Sequence, residues 1–432
     1  MLVALCLTDA GAAETALPEP LTLEAALAAV DVNHPLVAEA EADRQAAQAR
    51  RDMARAADDL AIDLSLQARR VEPDADSPYP DHDDSRAVLT LDKTLYDFGR
   101  TRAGIDAGER LLQARRIALQ DRLQQLRLRI MRRYFDVILA DLEAARANEA
   151  MSISFVRADN ARDRLKLGEI SDIDALALEN TYQRDLLARE RAEDRQRQTR
   201  ALLALALNRP EALPEDLEMP ALPGLKKPLP AFEALLKAVY RNNLTLRALE
   251  QERQSLTARI QASRADNRPN LYLRLQAAEY RRRTGLRDPL TTMLGIDLPL
   301  YRGGRTNAQV ATEASALTRL QAVIRRHRYS LRQSLLEQWQ AVQTLQRQLH
   351  QAEVQRDFRD LDLDRARARY DLEIDTNLGD AMTLQTAAKK FMAQTRFDLA
   401  MARERLAYLT QNPALSALKP AERIERNQEE TP

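Results

Sequence analysis

The sequence has 432 residues, in which 65 basic side chains balance 65 acidic ones, and it combines 30% charged with 45% hydrophobic residues. With only 11 glycines and 7 phenylalanines, this composition is typical of long helices. A net charge of zero gives no general reason to bind nucleic acid, because counterion release requires an excess of basic groups. The single cysteine, Cys6, cannot form an internal disulfide, and the four histidines have no companions at metal-ligand spacing.

Residues 1–14 have features of an export signal. The short apolar run Leu2–Leu7 precedes Ala10-Gly11-Ala12, a pattern that signal peptidase accepts. No Lys or Arg occurs before Arg44, so the usual basic start is missing, and a frayed N-terminus or a start codon placed too late stay open as alternatives. Elsewhere no apolar run approaches the ~20 residues of a spanning helix, so any membrane crossing would be made by strands.

Two strands are predicted after the first helix. Alternation is the signal: Ile62, Leu64 and Leu66 are separated by polar residues, and the stretch from Ala87 to Leu95 repeats this pattern. Each strand would be about 9 to 11 residues long with one apolar and one polar face, as a tilted membrane strand requires. The pattern alone fits a small soluble sheet with one face on a core equally well. The intervening loop, Glu72–Ser85, is charged and contains proline, which suits an aqueous rim.

A helical hairpin is predicted next. Residues 109–167 contain neither Gly nor Pro, and apolar residues recur at helical spacing, for example at Leu119, Leu123 and Leu126. At ~1.5 Å per residue this helix would run roughly 90 Å, too far for a globular core. The return arm, Ile173–Asn208, begins only a few residues later, so the two arms must fold back antiparallel. Residues 211–230 follow as a proline-bearing crossover, predicted to be extended and superficial.

The second half of the chain repeats the first. Tyr96 and Tyr301 lie 205 positions apart, and so do Asp92 and Asp297, and Arg164 and Arg369. The second copy predicts strands over 271–277 and 292–300, a loop over Arg281–Pro289, a helix over 305–378 and a return arm over Asp380–Asn412. The predicted organisation is therefore a first repeat over 20–210, the crossover over 211–230, a second repeat over 231–413 and a charged tail over 414–432.

Four amphipathic strands leave two open edges. About eight strands make the smallest barrel that fills itself, so a single chain could not close one. In lipid the unpaired edge amides have no water to bind, and self-association is therefore expected.

The chain resembles the TolC-like outer-membrane factor family over roughly residues 20 to 415. Three motifs account for the resemblance: Tyr-x-x-Gly-Arg at 96–100 and 301–305, Asn33-His34-Pro35, and the turn from Leu167-Gly168 to Asp174. The resemblance implies a mainly α fold with a small β part. It implies a homotrimer with a 12-stranded barrel in the outer-membrane lipid, continued by a helical tunnel through the periplasm.

The same resemblance implies a passive exit duct for efflux or type I secretion. Its partners would be a periplasmic adaptor (membrane fusion) protein and an inner-membrane pump or ABC exporter, with no nucleic acid. No cofactor or metal is expected, and no enzymatic activity, because the sequence has no phosphate loop, Cys-His pair or nucleophile elbow. A periplasmic coiled-coil adaptor or scaffold without a pore is the alternative, although adaptors have one hairpin per chain and no duplicated strand pairs.

The hairpin tips are the candidate functional residues. The resemblance places adaptor docking at Leu167, Gly168 and Asp174 and, at an atypical second tip, at Leu372 and Glu373. Gly168 would allow the left-handed backbone that ends a helix, and a helix cap alone explains it equally well. Threefold symmetry would gather a cluster of carboxylates into an acidic ring at the pore constriction, although a solvated acidic turn is the alternative reading. These carboxylates belong to Asp371, Glu373, Asp375 and Asp380.

Overall fold

The computed structural model describes residues 17–30, 33–73, 76, 78–79, 81–210, 215–282, 287–372 and 378–418. The fold is mainly α with one small antiparallel sheet, as the sequence predicts. In chain order the helices and strands are α1 (Leu23–Ala28), α2 (Pro35–Ala56), β1 (Ala61–Gln67), β2 (Arg86–Tyr96), α3 (Arg100–Lys166), α4 (Asp172–Ala206), α5 (Phe232–Asn242), α6 (Leu244–Ala265), β3 (Asn270–Tyr280), β4 (Leu290–Asp297), α7 (Arg305–Asp371) and α8 (Leu378–Thr410). The predicted signal region, residues 1–14, lies outside the described residues, as does the tail from residue 419 onwards.

The first long helix begins earlier than the glycine-free stretch of the sequence. Helix α3 has 67 residues and contains both Gly104 and Gly108. Gly108 serves packing, because a Cβ there would lie 2.9 Å from the Cα of Arg51 on α2. The missing side chain therefore allows α2 and α3 to approach closely.

The Tyr-x-x-Gly-Arg motif is the turn that starts each long helix. In the first copy, Asp97 accepts hydrogen bonds from the backbone N–H groups of Gly99 at 3.2 Å and Thr101 at 2.7 Å. Gly99 has a φ of +89°, a conformation that favours glycine. The second copy uses two glycines with positive φ, Gly303 and Gly304, directly before α7. Both motifs thus redirect the chain from a strand into a helix.

The sheet has the order β1-β2-β3-β4, and every pair is antiparallel. The central strands β2 and β3 have 11 residues each, as predicted. The edge strands are shorter than predicted, with 7 residues in β1 and 8 in β4. Strand β4 ends before Pro299, which has no N–H to donate to a ladder, so the prediction that the strand includes Leu298 and Leu300 was wrong.

The chain forms two compact units. The helical unit contains Met1–Ala38, Arg122–Asn243 and Leu331–Pro432, and the sheet unit contains Glu39–Asp121 and Leu244–Ser330. Each unit takes segments from both predicted repeats. The repeat boundaries themselves stay a prediction from the sequence.

The helical unit has a core of large side chains. Tyr134, Phe135 and Phe397 are buried, and the rings of Phe135 and Phe397 stack with their centroids 4.3 Å apart. The Tyr134 hydroxyl lies 2.7 Å from the carbonyl oxygen of Leu21 and 2.6 Å from that of Glu218. This hydroxyl therefore ties the start of the described chain and the crossover to the middle of α3.

The crossover is more firmly anchored than predicted. Its described part, from residue 215, contains no helix or strand, as an extended segment should. Leu222 and Leu225 are nevertheless buried, and the buried Arg403 of α8 donates from Nε to the Leu225 carbonyl oxygen at 3.1 Å. Most residues of this segment are exposed, but apolar side chains and a buried guanidinium fix it to the helices.

Candidate functional site

The register of the sheet places its apolar side chains on one face. Ile62 pairs with Leu91, Leu91 with Leu275, and Leu275 with Thr292, so these residues share a face across all four strands. The large side chains on the edge strands of this face are strongly exposed, with Leu64 at 65% and Leu294 at 66%. Residues of this face are Ile62, Leu64, Leu66, Ala87, Leu89, Leu91, Lys93, Leu271, Leu273, Leu275, Ala277, Glu279, Leu290, Thr292, Leu294 and Ile296. The predicted alternation is therefore confirmed in the paired parts of all four strands, but not at Leu95, where the register of β2 shifts between Thr94 and Tyr96.

The charged residues of the apolar face lie near its ends. Lys93 is close to the end of β2, where its ammonium contacts the carbonyl oxygen of Asp58, and Glu279 is close to the end of β3. The opposite face is polar, and Arg274 on β3 donates to Asp92 on β2 at 2.6 Å. The sheet therefore has an apolar band with polar groups at both ends.

The first hairpin turn is a well-formed helix termination. Gly168 has a φ of +74°, as the sequence predicted. The Gly168 N–H donates to the Leu165 carbonyl and the Glu169 N–H donates to the Arg164 carbonyl, both at 2.9 Å. This pair of bonds is a Schellman motif, which satisfies the last carbonyls of α3.

Helix α4 starts within the same turn. The Ser171 hydroxyl accepts from the Asp174 N–H at 3.2 Å and donates to the Asp174 carboxylate at 2.6 Å. Three large apolar side chains of the turn are exposed, namely Leu167, Ile173 and Leu176. The structure thus brings the predicted docking residues Leu167, Gly168 and Asp174 into one hydrogen-bonded turn whose large apolar side chains are exposed. The docking residues predicted from the sequence did not include Ile173 and Leu176, although both are apolar residues at or beside the predicted turn.

The second hairpin turn is described only at its two sides. Asp371 ends α7 and is exposed, as is Leu372 beside it. Glu373 and Asp375 lie outside the described residues. On the other side, the Asp380 carboxylate at the start of α8 lies 2.9 Å from Nη2 of Arg157 on α3. The charge of Asp380 is therefore partly compensated within the chain.

Gly379 has a packing role that the sequence did not indicate. A Cβ at this position would lie 3.0 Å from the Ile153 side chain of α3. The glycine, together with the ion pair of Asp380, holds the start of α8 against α3.

A half-buried polar contact links α3 and α8 further along the helical unit. Glu143 accepts hydrogen bonds from Arg146 at 2.7 Å and from Lys390 at 2.8 Å. The bond from Arg146 lowers the pKa of Glu143, partial burial opposes this effect, and with Lys390 the pKa falls to about 2. The carboxylate is therefore ionised at neutral pH and serves to hold the helices together.

None of the helices in the described part of the chain is both long and apolar enough to span a membrane. Within the described residues, no group of three or more His, Cys, Asp or Glu side chains could hold a metal ion.

The fold matches those of solved outer-membrane channels. The CmeC outer membrane channel of Campylobacter jejuni aligns over 90% of this chain and 85% of its own, with 11% identity and a TM-score of 0.72. The outer membrane protein VceC of Vibrio cholerae aligns over 91% and 95%, with 16% identity and a TM-score of 0.68. The MtrE outer membrane channel of Neisseria gonorrhoeae aligns over 92% and 89%, with 17% identity and a TM-score of 0.68.

This chain thus has the fold of these outer-membrane proteins, with long helical hairpins and a four-stranded sheet. Residues 27–209 match the sequence model of the family described as outer membrane efflux protein. The resemblance of the chain to the TolC-like outer-membrane factor family, inferred from its motifs, is confirmed. No curated protein matches the sequence.

Proposed function

We propose that the chain is one subunit of a trimeric exit duct in the outer membrane, which conducts exported molecules without chemistry of its own. The sheet is the main support. Its apolar face extends over four strands, and within the described residues its edge strands β1 and β4 each pair on one side only. A sheet with these properties needs partners for its edges and an apolar environment for its face.

Three copies meet both needs. Twelve strands from three sheets can close a barrel wide enough to enclose a lumen, and closure removes the edges. The exposed leucines and isoleucines would then face the lipid. The polar face, with the pair of Arg274 and Asp92, would line the aqueous interior, as the alternation in membrane barrels requires.

The hairpin turns have separate proposed roles. The first turn would dock a periplasmic adaptor, because Leu167, Ile173 and Leu176 expose apolar surface beside a hydrogen-bonded turn. Asp371, Glu373, Asp375 and Asp380 would form the acidic ring at the pore constriction, because threefold symmetry brings three copies of the second turn together. An energised inner-membrane pump or exporter would supply the driving force, because nothing in a passive duct does.

The mass of the purified protein in detergent tests the assembly. We expect a trimer by light scattering with the detergent contribution removed, and ion conduction when the trimer is inserted into a planar bilayer. A stable monomer or dimer would contradict the proposal. A trimer that never conducts would point instead to a scaffold without a pore.

A further inference from the structure

An arginine-lined cavity in the helical unit has no role in the proposed duct. Its volume is about 480 Å³, and it is lined by Leu128, Arg129, Arg132, Arg133, Asp136, Arg195, Met401 and Arg405. Helices α3, α4 and α8 supply these residues. Five guanidinium groups and one carboxylate give the lining a formal charge of +4.

The acidic groups nearby are already engaged with two of the arginines. Asp136 lies 3.1 Å from Nε of Arg132 and 3.4 Å from Nη1 of Arg133. Asp398, just outside the lining, lies 3.0 Å from Nη1 of Arg132. These pairs therefore compensate Arg132 and Arg133 but leave the rest of the cavity positive.

The other three arginines differ from these two. Across the described ranges, Arg129, Arg195 and Arg405 make no ion pair with an acidic side chain. They come from three different helices, so their convergence is a property of the fold rather than of one sequence segment. Like charges that share a cavity repel one another, and a bound anion relieves this repulsion.

The geometry points to a site for a multivalent oxyanion of the phosphate class. Guanidinium groups present planar forks of N–H donors, which match the oxygen pairs of phosphate and bind them bidentately. The buried Met401 and half-buried Leu128 form the apolar floor of the lining, whereas Arg129, Arg195 and Arg405 are exposed, so an anion can reach them from solvent. Monovalent halides lack paired oxygens, so the site should bind phosphate in preference to chloride.

Titration of the full chain with inorganic phosphate at constant ionic strength, followed by calorimetry, tests the site. We expect saturable binding of one phosphate per chain, reproduced by sulfate and absent with chloride. Loss of one charged hydrogen-bonding group should weaken binding by about tenfold in Arg195→Gln and in Arg405→Gln. The matched control is Arg191→Gln. Arg191 is exposed and lies on the same helix as Arg195 but outside the lining, so this change should leave the affinity for phosphate unchanged.

A second titration uses a short-chain phosphatidic acid, which presents the same phosphate on a lipid. Tighter binding than inorganic phosphate would identify a lipid headgroup as the source, and equal binding would favour a free anion. Circular dichroism checks that each variant folds, and Arg129→Gln is measured in place of any variant that does not. Absence of saturable binding, or equal weakening in Arg191→Gln, would overturn the proposal. If phosphate does not bind and Arg405→Glu dissociates the oligomer, the arginines serve carboxylates of a second copy instead.

Discussion

The helical unit and the sheet unit differ in how far they bury their large apolar side chains. In the helical unit, Tyr134 and Phe135 are 0% exposed and Phe397 is 1% exposed. In the sheet, Ile62 is 61% and Ile296 68% exposed, although both are strand residues with apolar neighbours. The helical unit therefore buries a core of large side chains, although others such as Phe358 and Leu361 are exposed, whereas the large side chains on the edge strands of the sheet are mostly exposed.

The same contrast holds for polar groups. In the helical unit, contacts within the chain satisfy the buried hydroxyl of Tyr134 and the half-buried Glu143 and Lys390, although Nη1 of the buried Arg403 makes no hydrogen bond with any described residue. The edge strands of the sheet present backbone groups on their outer sides. Mutations should accordingly disturb assembly in the sheet and local geometry in the helical hairpins.

The largest effect is expected for charge on the apolar face of the sheet. In lipid vesicles, Leu273→Arg should destabilise the assembly by roughly 2 to 4 kcal/mol, the cost of arginine on the lipid face of a barrel. Leu273 pairs with Lys93 and Leu294, both on the apolar face. The control Gln276→Arg changes a residue paired with Thr90 and Thr291 on the polar face and should have little effect. Urea unfolding in vesicles gives both values, and equal losses would refute the assignment of the faces.

A smaller effect is expected at the first hairpin turn. Gly168→Val should cost roughly 1 to 2 kcal/mol, because a residue with a Cβ is strained at positive φ. No atom lies within 4 Å of a Cβ built at Gly168, so strain rather than a clash is the cause. The variant should still reach the outer-membrane fraction while export fails, because the docking surface is distorted.

The matched control for that variant is Gly104→Val. Gly104 also has open space around a Cβ, but it lies within α3 with an ordinary helical φ. Chemical denaturation should show a smaller loss of stability for Gly104→Val than for Gly168→Val. Equal losses would mean that the positive φ of Gly168 is not the source of the strain.

The sequence predicted the parts of the fold that depend on local pattern. The alternation at Ile62, Leu64 and Leu66 defined a face, and the turn geometry at Gly168 followed from residue type alone. The start of α3 was harder to place, because Gly108 is usually unfavourable in a helix. Only its distance from Arg51 explains why glycine is needed there.

Contacts between distant parts of the chain could not be predicted in the same way. The ion pair of Arg157 with Asp380 and the packing of Ile153 on Gly379 join helices separated by more than 200 residues in sequence. A single sequence does not show which residues of two such distant helices lie side by side. The arginine cavity was missed for the same reason, since α3, α4 and α8 each supply only part of it.

The smallest effect on stability, and the sharpest test of function, concerns the acidic second turn. The quadruple change Asp371→Asn, Glu373→Gln, Asp375→Asn and Asp380→Asn should lower cation preference in single-channel recordings, because a ring of carboxylates attracts cations through its field. The stability change should stay within about 1 kcal/mol, since the pair of Asp380 with Arg157 is exposed. Block by multivalent cations should weaken as well, and low salt makes both effects easier to measure.

The ion pair of Asp380 allows this test to be divided. If Asp380 faces the pore, Arg157→Gln should raise cation preference, because it removes the charge that compensates the carboxylate. The double variant Arg157→Gln with Asp380→Asn should cancel that gain, which separates the field of Asp380 from any change in packing around Ile153. Unchanged selectivity in the quadruple variant would mean that these carboxylates form a solvated turn. Selectivity that changes in the quadruple variant but not in Arg157→Gln would restrict the ring to residues 371–375, because Asp380 would then act only in holding α8 against α3.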